Sequence, residues 1–255
     1  MSIIDPEAIK KIVKNNFDRS SEQYQVFEEK FGLFRYLTIE LAEACNIQLG
    51  MTVCDIGCGT GTSSIILAKV LGKNGKVVGI DFSENMLRQA EFIANKYRED
   101  AIRSSTDNDP QDMAELTFVR CDADRLSETF SQNHQKFDSV LYNACIFLIP
   151  EPKNTMADAF ELLRPGGCIG FNYLVGIYEH PSNDVSENEK FESDLFFNTK
   201  TDGKPFAPYG RRINDIESYP NILKEIGFKK VQCGMISKRL AQDELLAFFD
   251  PCEHF

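Results

Sequence analysis

At 255 residues with 42% apolar content, the chain can bury the core of one large α/β domain. Asp and Glu number 39 against 28 Lys and Arg, a net charge of −11, which argues against the basic surface that sequence-independent nucleic-acid binding requires. No run of 18 apolar residues exists to span a bilayer, and the opening MSIIDPEAIKKIVKNN lacks the apolar centre of a signal peptide, so a cytoplasmic location with reduced thiols is expected.

Helical patterns cover 6–16, 20–30 and 33–46, the second capped by Ser20 or Ser21, and together they form an N-terminal helical segment. A strand–helix rhythm then begins. MTVCDI (51–56) reads as a strand, SSIILAKVLG (63–72) as a helix closed by Gly72, and KVVGID (76–81) as the second strand. SENMLRQAEFIANKY (83–97) is a helix capped by Ser83, and the polar stretch 99–115 is a surface loop. Strands follow at 116–122 and 136–144, then a helix at 154–165, a Pro165-Gly166-Gly167 turn and a fifth strand at 168–175. Residues 176–212 are polar and aromatic-rich without periodicity. A helix at 213–227, bent near Pro220, and a sixth strand at 228–236 complete the pattern.

This alternation predicts a doubly wound, Rossmann-like, mostly parallel sheet with helices on both faces. The expected organisation is a single domain: helical cap 1–46, core 47–175, inserted lid 176–212, and 213–255 returning to the sheet. Ligands of such sheets bind outside the carboxyl ends of the strands, near the switch in strand order. Eight cysteines (45, 54, 58, 121, 145, 168, 233, 252) include no Cys-x-x-Cys and no zinc-type spacing, so no metal site is expected and they read as small buried residues.

The first strand runs into VCDIGCGTGTSS (53–64), where Gly57, Gly59 and Gly61 alternate with Cys58 and Thr60. A dinucleotide fingerprint counted from Gly57 needs its third glycine at 62, which is Thr62. The loop is therefore of another kind, still leading into a helix N-terminus that can meet a carboxylate. Asp55, just before it, suits an ammonium group better than a pyrophosphate, which favours an amino-acid-bearing cofactor. Asp81 ends the second strand, where a carboxylate can accept from two ribose hydroxyls. Asp122, ending the third strand, suits an exocyclic amino group such as adenine N6, with the Ala123 N–H beside it for adenine N1.

DIGCGTG, GIDFSENML, CDAD, FDSVLYNA and LRPGG, in this order, resemble the class I S-adenosylmethionine-dependent methyltransferases. The small-molecule branch with a helical cap, similar to biotin-pathway and quinone-pathway enzymes, is the nearest in character, and NNFDRSSEQY is similar to its cap segment. The resemblance implies S-adenosyl-L-methionine as cofactor. It implies that Asp55 and the Gly57–Cys58–Gly59–Gly61 loop face the methionine moiety and that Asp81 holds the ribose. It further implies that Phe82 and Met86 line the adenine pocket and that Asp122 and Ala123 read the adenine edge. Asn143 would lie beside the reacting centre, and Tyr24 would close over it from the cap.

The implied reaction moves a methyl group by in-line displacement to a small-molecule acceptor, with no nucleic-acid partner, no membrane insertion and no metal. An acceptor of high pKa would need a base, for which His180 and Tyr142 are the candidates. Rival readings are a non-catalytic S-adenosylmethionine binder acting through protein contacts, a protein-substrate methyltransferase, and a nicotinamide oxidoreductase. The acceptor, the accepting atom and the oligomeric state stay open at this point.

Overall fold

Asp5 accepts the Glu7 N–H at 3.2 Å and Pro6 occupies the first turn, so the chain enters its first helix at once. This helix, α1, runs unbroken over Pro6–Phe31 in the computed structural model, which describes residues 5–104, 113–130, 135–173 and 218–234. The two helices expected at 6–16 and 20–30 are one. Ser20 does not cap; its hydroxyl donates back to the Asn16 carbonyl at 2.8 Å, which lets the helix continue. The break comes at Gly32, in the left-handed region at φ 61°, where its N–H closes on Glu28 O at 2.8 Å. Glu28 then caps the next helix, α2 (Leu33–Ala44), by accepting the Phe34 and Arg35 N–H groups at 2.8 and 3.1 Å.

The sheet follows in the predicted rhythm. β1 (Thr52–Ile56), α3 (Thr62–Leu71), β2 (Lys76–Asp81), α4 (Glu84–Ser104) and β3 (Glu115–Arg120) form its first half. A 3₁₀ turn (Ala123–Arg125) leads into α5 (Leu126–Phe130), then β4 (Phe137–Tyr142), a second 3₁₀ turn (Ile146–Leu148), α6 (Pro152–Leu162) and β5 (Leu163–Phe171). A last described helix, α7, spans Tyr219–Ile226. The strand order is β3-β2-β1-β4-β5 with every pair parallel, so the chain winds outward from β1 and then returns to its other side. The switch lies between β1 and β4.

Alternation along the strands sends side chains to opposite layers. Val53, Val77, Leu116 and Leu141 pack under α2 and α3, against Leu41, Ile65, Leu67, Ala68 and Leu71. Cys54, Ile56, Val78, Ile80, Val140 and Tyr142 pack on the other side, against Leu126 and Phe130 of α5, Met156 and Ala159 of α6, and Leu223 of α7. The expected two-faced α/β sheet is borne out.

Several boundaries moved. α4 continues through Ser104, so part of the loop expected at 99–115 is helical. β5 begins at Leu163, and Pro165-Gly166-Gly167 lies within it as a register irregularity against β4 rather than as a turn before it. Pro220 sits in the first turn of α7, where its missing N–H costs nothing, and does not bend it. Residues 228–234, the described part of the strand expected at 228–236, pair with no described strand. The proposed lid at 176–212 and the tail from 235 lie outside the described residues.

Leu67, with no exposed surface, fills the layer between α3 and the sheet. Leu67→Ala should lower unfolding stability by about 2–5 kcal/mol, read by urea denaturation, because the surrounding strands can relax only partly into the space left.

Candidate cofactor-binding site

The loop after β1 uses its three glycines differently. All have positive φ, at 67°, 55° and 86° for Gly57, Gly59 and Gly61. A Cβ on Gly57 would meet Cys145 Cβ at 2.8 Å, and one on Gly61 would meet Ala90 Cβ at 3.0 Å, so these two let β4's loop and α4 close on the turn. At Gly59 nothing lies within 4 Å of that position; here the backbone faces open cavity.

Asp81 ties this loop to the end of β2. Its Oδ2 accepts the Gly59 N–H at 3.0 Å and its Oδ1 the Ser83 N–H at 2.8 Å, while the Cys58 N–H donates to Ile80 O at 2.9 Å. Burial raises the Asp81 pKa to about 6 against the pull of those N–H donors, with the Asp18 charge adding to the rise. Ser83 caps α4 by accepting the Met86 N–H at 3.1 Å, as expected, and its own hydroxyl donates to Asp18 Oδ1 of α1 at 2.6 Å. Asn85 adds a bond to the Asp18 carbonyl at 2.8 Å. The cap helix is thus latched onto the start of α4.

A second latch lies at the end of β3. Lys10, from α1, reaches Asp122 at 2.9 Å and Asp124 at 2.8 Å, with Glu7 at 3.3 Å. Burial disfavours the ammonium, but Asp124 and Asp122 outweigh it and the Lys10 pKa is raised. Asp122 is fixed at both ends, since its Oδ1 also accepts the Asp124 N–H at 3.0 Å. Asp124 keeps a buried Oδ1 with no protein partner, and burial raises its pKa.

Beyond β4, Asn143 is held rigidly. Its amide donates to Thr38 Oγ1 at 2.9 Å and Ser63 Oγ at 2.8 Å, and its Oδ1 accepts from Asn172 at 2.5 Å. Asn172 also accepts the Ala144 N–H at 2.6 Å, which supports the positive φ of 53° at Ala144. β4, β5, α2 and α3 therefore meet at one side chain. The cavity continues past it between Phe17, Tyr24 and Phe34 of the cap and Phe147, Leu148, Ile149 and Pro150 after β4. Tyr24 stands between Phe17 and Phe34, its ring centroid 5.2 Å from one and 6.1 Å from the other.

Of the residues expected in the site, Tyr24, Gly57, Cys58, Gly59, Asp81, Phe82, Met86, Asp122, Ala123 and Asn143 line this one cavity. Gly61 does not; it packs beneath. Asp55 is also displaced from its expected place: the β-strand alternation turns its carboxylate toward α3, where Ser64 donates to Oδ2 at 2.6 Å and Oδ1 is buried without a partner. Tyr142 is corrected as a base. It is fully buried away from the cavity, its hydroxyl donates to Thr155 O at 3.0 Å, and burial pushes its pKa well above the usual value. His180 lies outside the described residues. Lys10, Phe34, Asp124 and Asn172 were missed. Lys10 had a readable signal: Lys10, Phe17 and Tyr24 recur at seven-residue spacing and so share one helix face.

A family described as "Methyltransferase domain" matches residues 47–227, most of the chain. The chain belongs to this family. The expected resemblance to class I S-adenosylmethionine-dependent methyltransferases is thereby borne out. The demethylmenaquinone methyltransferase of Oceanobacillus iheyensis is 31% identical over 124 residues, covering 49% of this chain and 44% of its own. The arsenite methyltransferase of Mus musculus is 25% identical over 131 residues, covering 51% and 32%. The alignments span about half the length of such curated relatives or less. Among solved structures, phosphoethanolamine N-methyltransferase 2 of Haemonchus contortus shares the fold with a TM-score of 0.52 at 20% identity, over 83% of this chain and 42% of that one. The cavity fits the family's cofactor, S-adenosylmethionine. Open space over Gly59 accommodates a close backbone approach, and Asp81, Asp122 and the buried, unpartnered Asp124 oxygen offer acceptors along the same wall of the cavity.

Burial raises the Asp55 pKa to about 7, with the Ser64 hydrogen bond opposing and the Asp81 charge adding to the rise. A carboxyl whose folded pKa exceeds its unfolded 3.8 stabilises the fold fully below pH 3.8, and that contribution is lost as pH rises toward 7. Asp55→Asn should therefore flatten the fall in unfolding free energy between pH 4 and 7, measured by denaturation at each pH.

Proposed function

We propose that the protein transfers a methyl group from S-adenosylmethionine to a small, largely apolar acceptor. The observation that carries this reading is the polarity of the cavity. Its charged residues, Lys10, Asp81, Asp122 and Asp124, gather at the ends of β2 and β3, whereas the far end is walled by Phe17, Tyr24, Phe34, Phe147, Leu148 and Ile149. Among the described residues the one cation lining the cavity, Lys10, is already engaged by three carboxylates and leaves no charge for an anionic acceptor. An apolar acceptor also agrees with the quinone precursor named for the demethylmenaquinone methyltransferases among the relatives.

When bound, the cofactor supplies an activated methyl group, so alignment and dryness are what the protein must add. The Gly59 backbone and Asp81 fix the cofactor's position along the sheet end. Asn143, with its amide and carbonyl both committed to protein partners, acts as a rigid wall rather than as a proton carrier. The cap aromatics exclude water and can press a flat acceptor toward that wall, and such positioning alone can yield effective molarities of about 10⁵ M or more. Acceptors that ionise readily need no protein base under this scheme.

Isothermal titration should show binding of S-adenosylhomocysteine and none of NAD. Transfer of labelled methyl should occur to a reduced naphthoquinone-type acceptor and not to phosphoethanolamine. Methylation of phosphoethanolamine or of protein alone would overturn the acceptor class. Asp81→Asn, which removes the charge but keeps one acceptor for the loop N–H groups, should weaken S-adenosylhomocysteine binding by roughly 1.5–3 kcal/mol; unchanged affinity would place the ribose elsewhere.

A further inference from the structure

The C-terminal end of α2 packs against β5. Gly170 makes this possible: a Cβ there would lie 2.2 Å from Cys45 Sγ and 3.3 Å from Leu41 Cδ1. The Cys45 sulfur thus occupies the slot that a side chain at 170 would fill. Residues two apart in a strand point to the same face, so Cys168 projects beside that slot. The register thus places the Cys168 thiol next to the Cys45 sulfur on one face of β5, where each perturbs the other's acidity. Both are partly exposed, whereas Cys54, Cys58, Cys121 and Cys145 are buried in the core. Nothing in the proposed methyl transfer uses this pair.

We propose that Cys45 and Cys168 form an oxidisable dithiol site that closes reversibly to an intramolecular disulfide under peroxide. The roles of the two sulfurs differ. The neighbouring Cys45 thiol lowers the Cys168 pKa to about 7 against the effect of its burial, whereas the Cys168 thiol together with burial raises that of Cys45. Cys168 is therefore the attacking thiolate and Cys45 the resolving thiol. The Cys168 sulfur attacks one peroxide oxygen; an S–O bond forms, the O–O bond breaks, and the departing hydroxide takes up a proton to leave as water. Cys168, oxidised by two electrons, is now a sulfenic acid. The Cys45 sulfur attacks it, the S–S bond forms, the S–O bond breaks, and hydroxide leaves with the Cys45 proton as a second water. Two thiols and one peroxide give one disulfide and two waters. A thiol or phosphine reverses the step.

The link would join elements that also set the cavity floor. α2 carries Thr38, which accepts from Asn143, and β5 leads into Asn172, which donates to it. The staple would fasten the base of α2 to β5 below that network.

The test uses the full chain, reduced with a phosphine, desalted and exposed to an equimolar amount of hydrogen peroxide, with Cys233→Ser and Cys252→Ser present to remove other reactive thiols. After alkylation and digestion, mass spectrometry should find the Cys45 and Cys168 peptides joined and two hydrogens lighter. The oxidised protein should run as a monomer, melt at a higher temperature, and return to the reduced state with phosphine. Cys45→Ser should abolish the cross-link and leave Cys168 as a sulfenic acid trapped by dimedone. Should Cys45→Ser fail to fold, the cross-link in the unsubstituted pair decides the matter alone. Alkylation of both thiols after peroxide, over-oxidation of Cys168 without a cross-link, or a disulfide only between molecules would each overturn the proposal.

Discussion

The candidate site depends on a carboxylate with two backbone partners. Asp81 joins the loop after β1 to the loop after β2 through Gly59 and Ser83, alongside the Cys58 N–H bond to Ile80 O. Ser83 then passes the constraint to the cap, since its hydroxyl holds Asp18 of α1 while its oxygen caps α4. Glycine loop, ribose-side acid, helix start and cap are thus fixed by one short chain of hydrogen bonds. Charge-assisted bonds to backbone N–H groups are among the stronger ones a fold can use, which suits a buried position.

Burying this much acid at one end of the molecule carries an electrostatic cost that the sheet ends alone do not meet. Asp55 and Asp81 both have raised pKa values, chiefly from burial, and each charge disfavours the other or is disfavoured by a third. At β3 the solution differs: a lysine is brought in from a distant helix. Lys10 lies 112 residues from Asp122 in sequence, and its side chain is only 12% exposed. Among the described residues the apolar half of the cavity has no such ions, and its aromatic rings come from both the cap and the segment after β4. The two halves therefore obey different rules, one set by paired charge and the other by packing.

What the sequence showed and what it hid follow from range. The glycine spacing, the acids at three strand ends and the strand–helix alternation are local, and they led to the right fold and to a set of residues most of which line one cavity. Ser20 and Ser21 misled because serine caps and helix-interior serines share a residue type, and only the direction of the hydroxyl separates them. Asp55 misled for a related reason: adjacency to the loop in sequence says nothing of which face of β1 a side chain takes. Tyr142 sits one residue before Asn143, yet alternation sends it to the opposite face of β4 from Asn143, where it is fully buried against Thr155. Lys10 and Asn172 find their partners only when distant elements meet, which no short motif encodes.

α1 extends for 26 residues without interruption, about 39 Å at 1.5 Å per residue. Both of its polar latches, at Lys10 and Asp18, and its aromatic contacts at Phe17 and Tyr24 are carried on that single rod. Gly32 is the one residue between it and α2, in a left-handed conformation. The cap is consequently mechanical in a simple sense. Leverage about Gly32 grows with distance from the pivot, so the Lys10 end travels furthest for any small rotation. Ion pair, hydroxyl bond and ring contacts would then part in the order of their distance from the glycine, like stitches pulled from the free end of a seam.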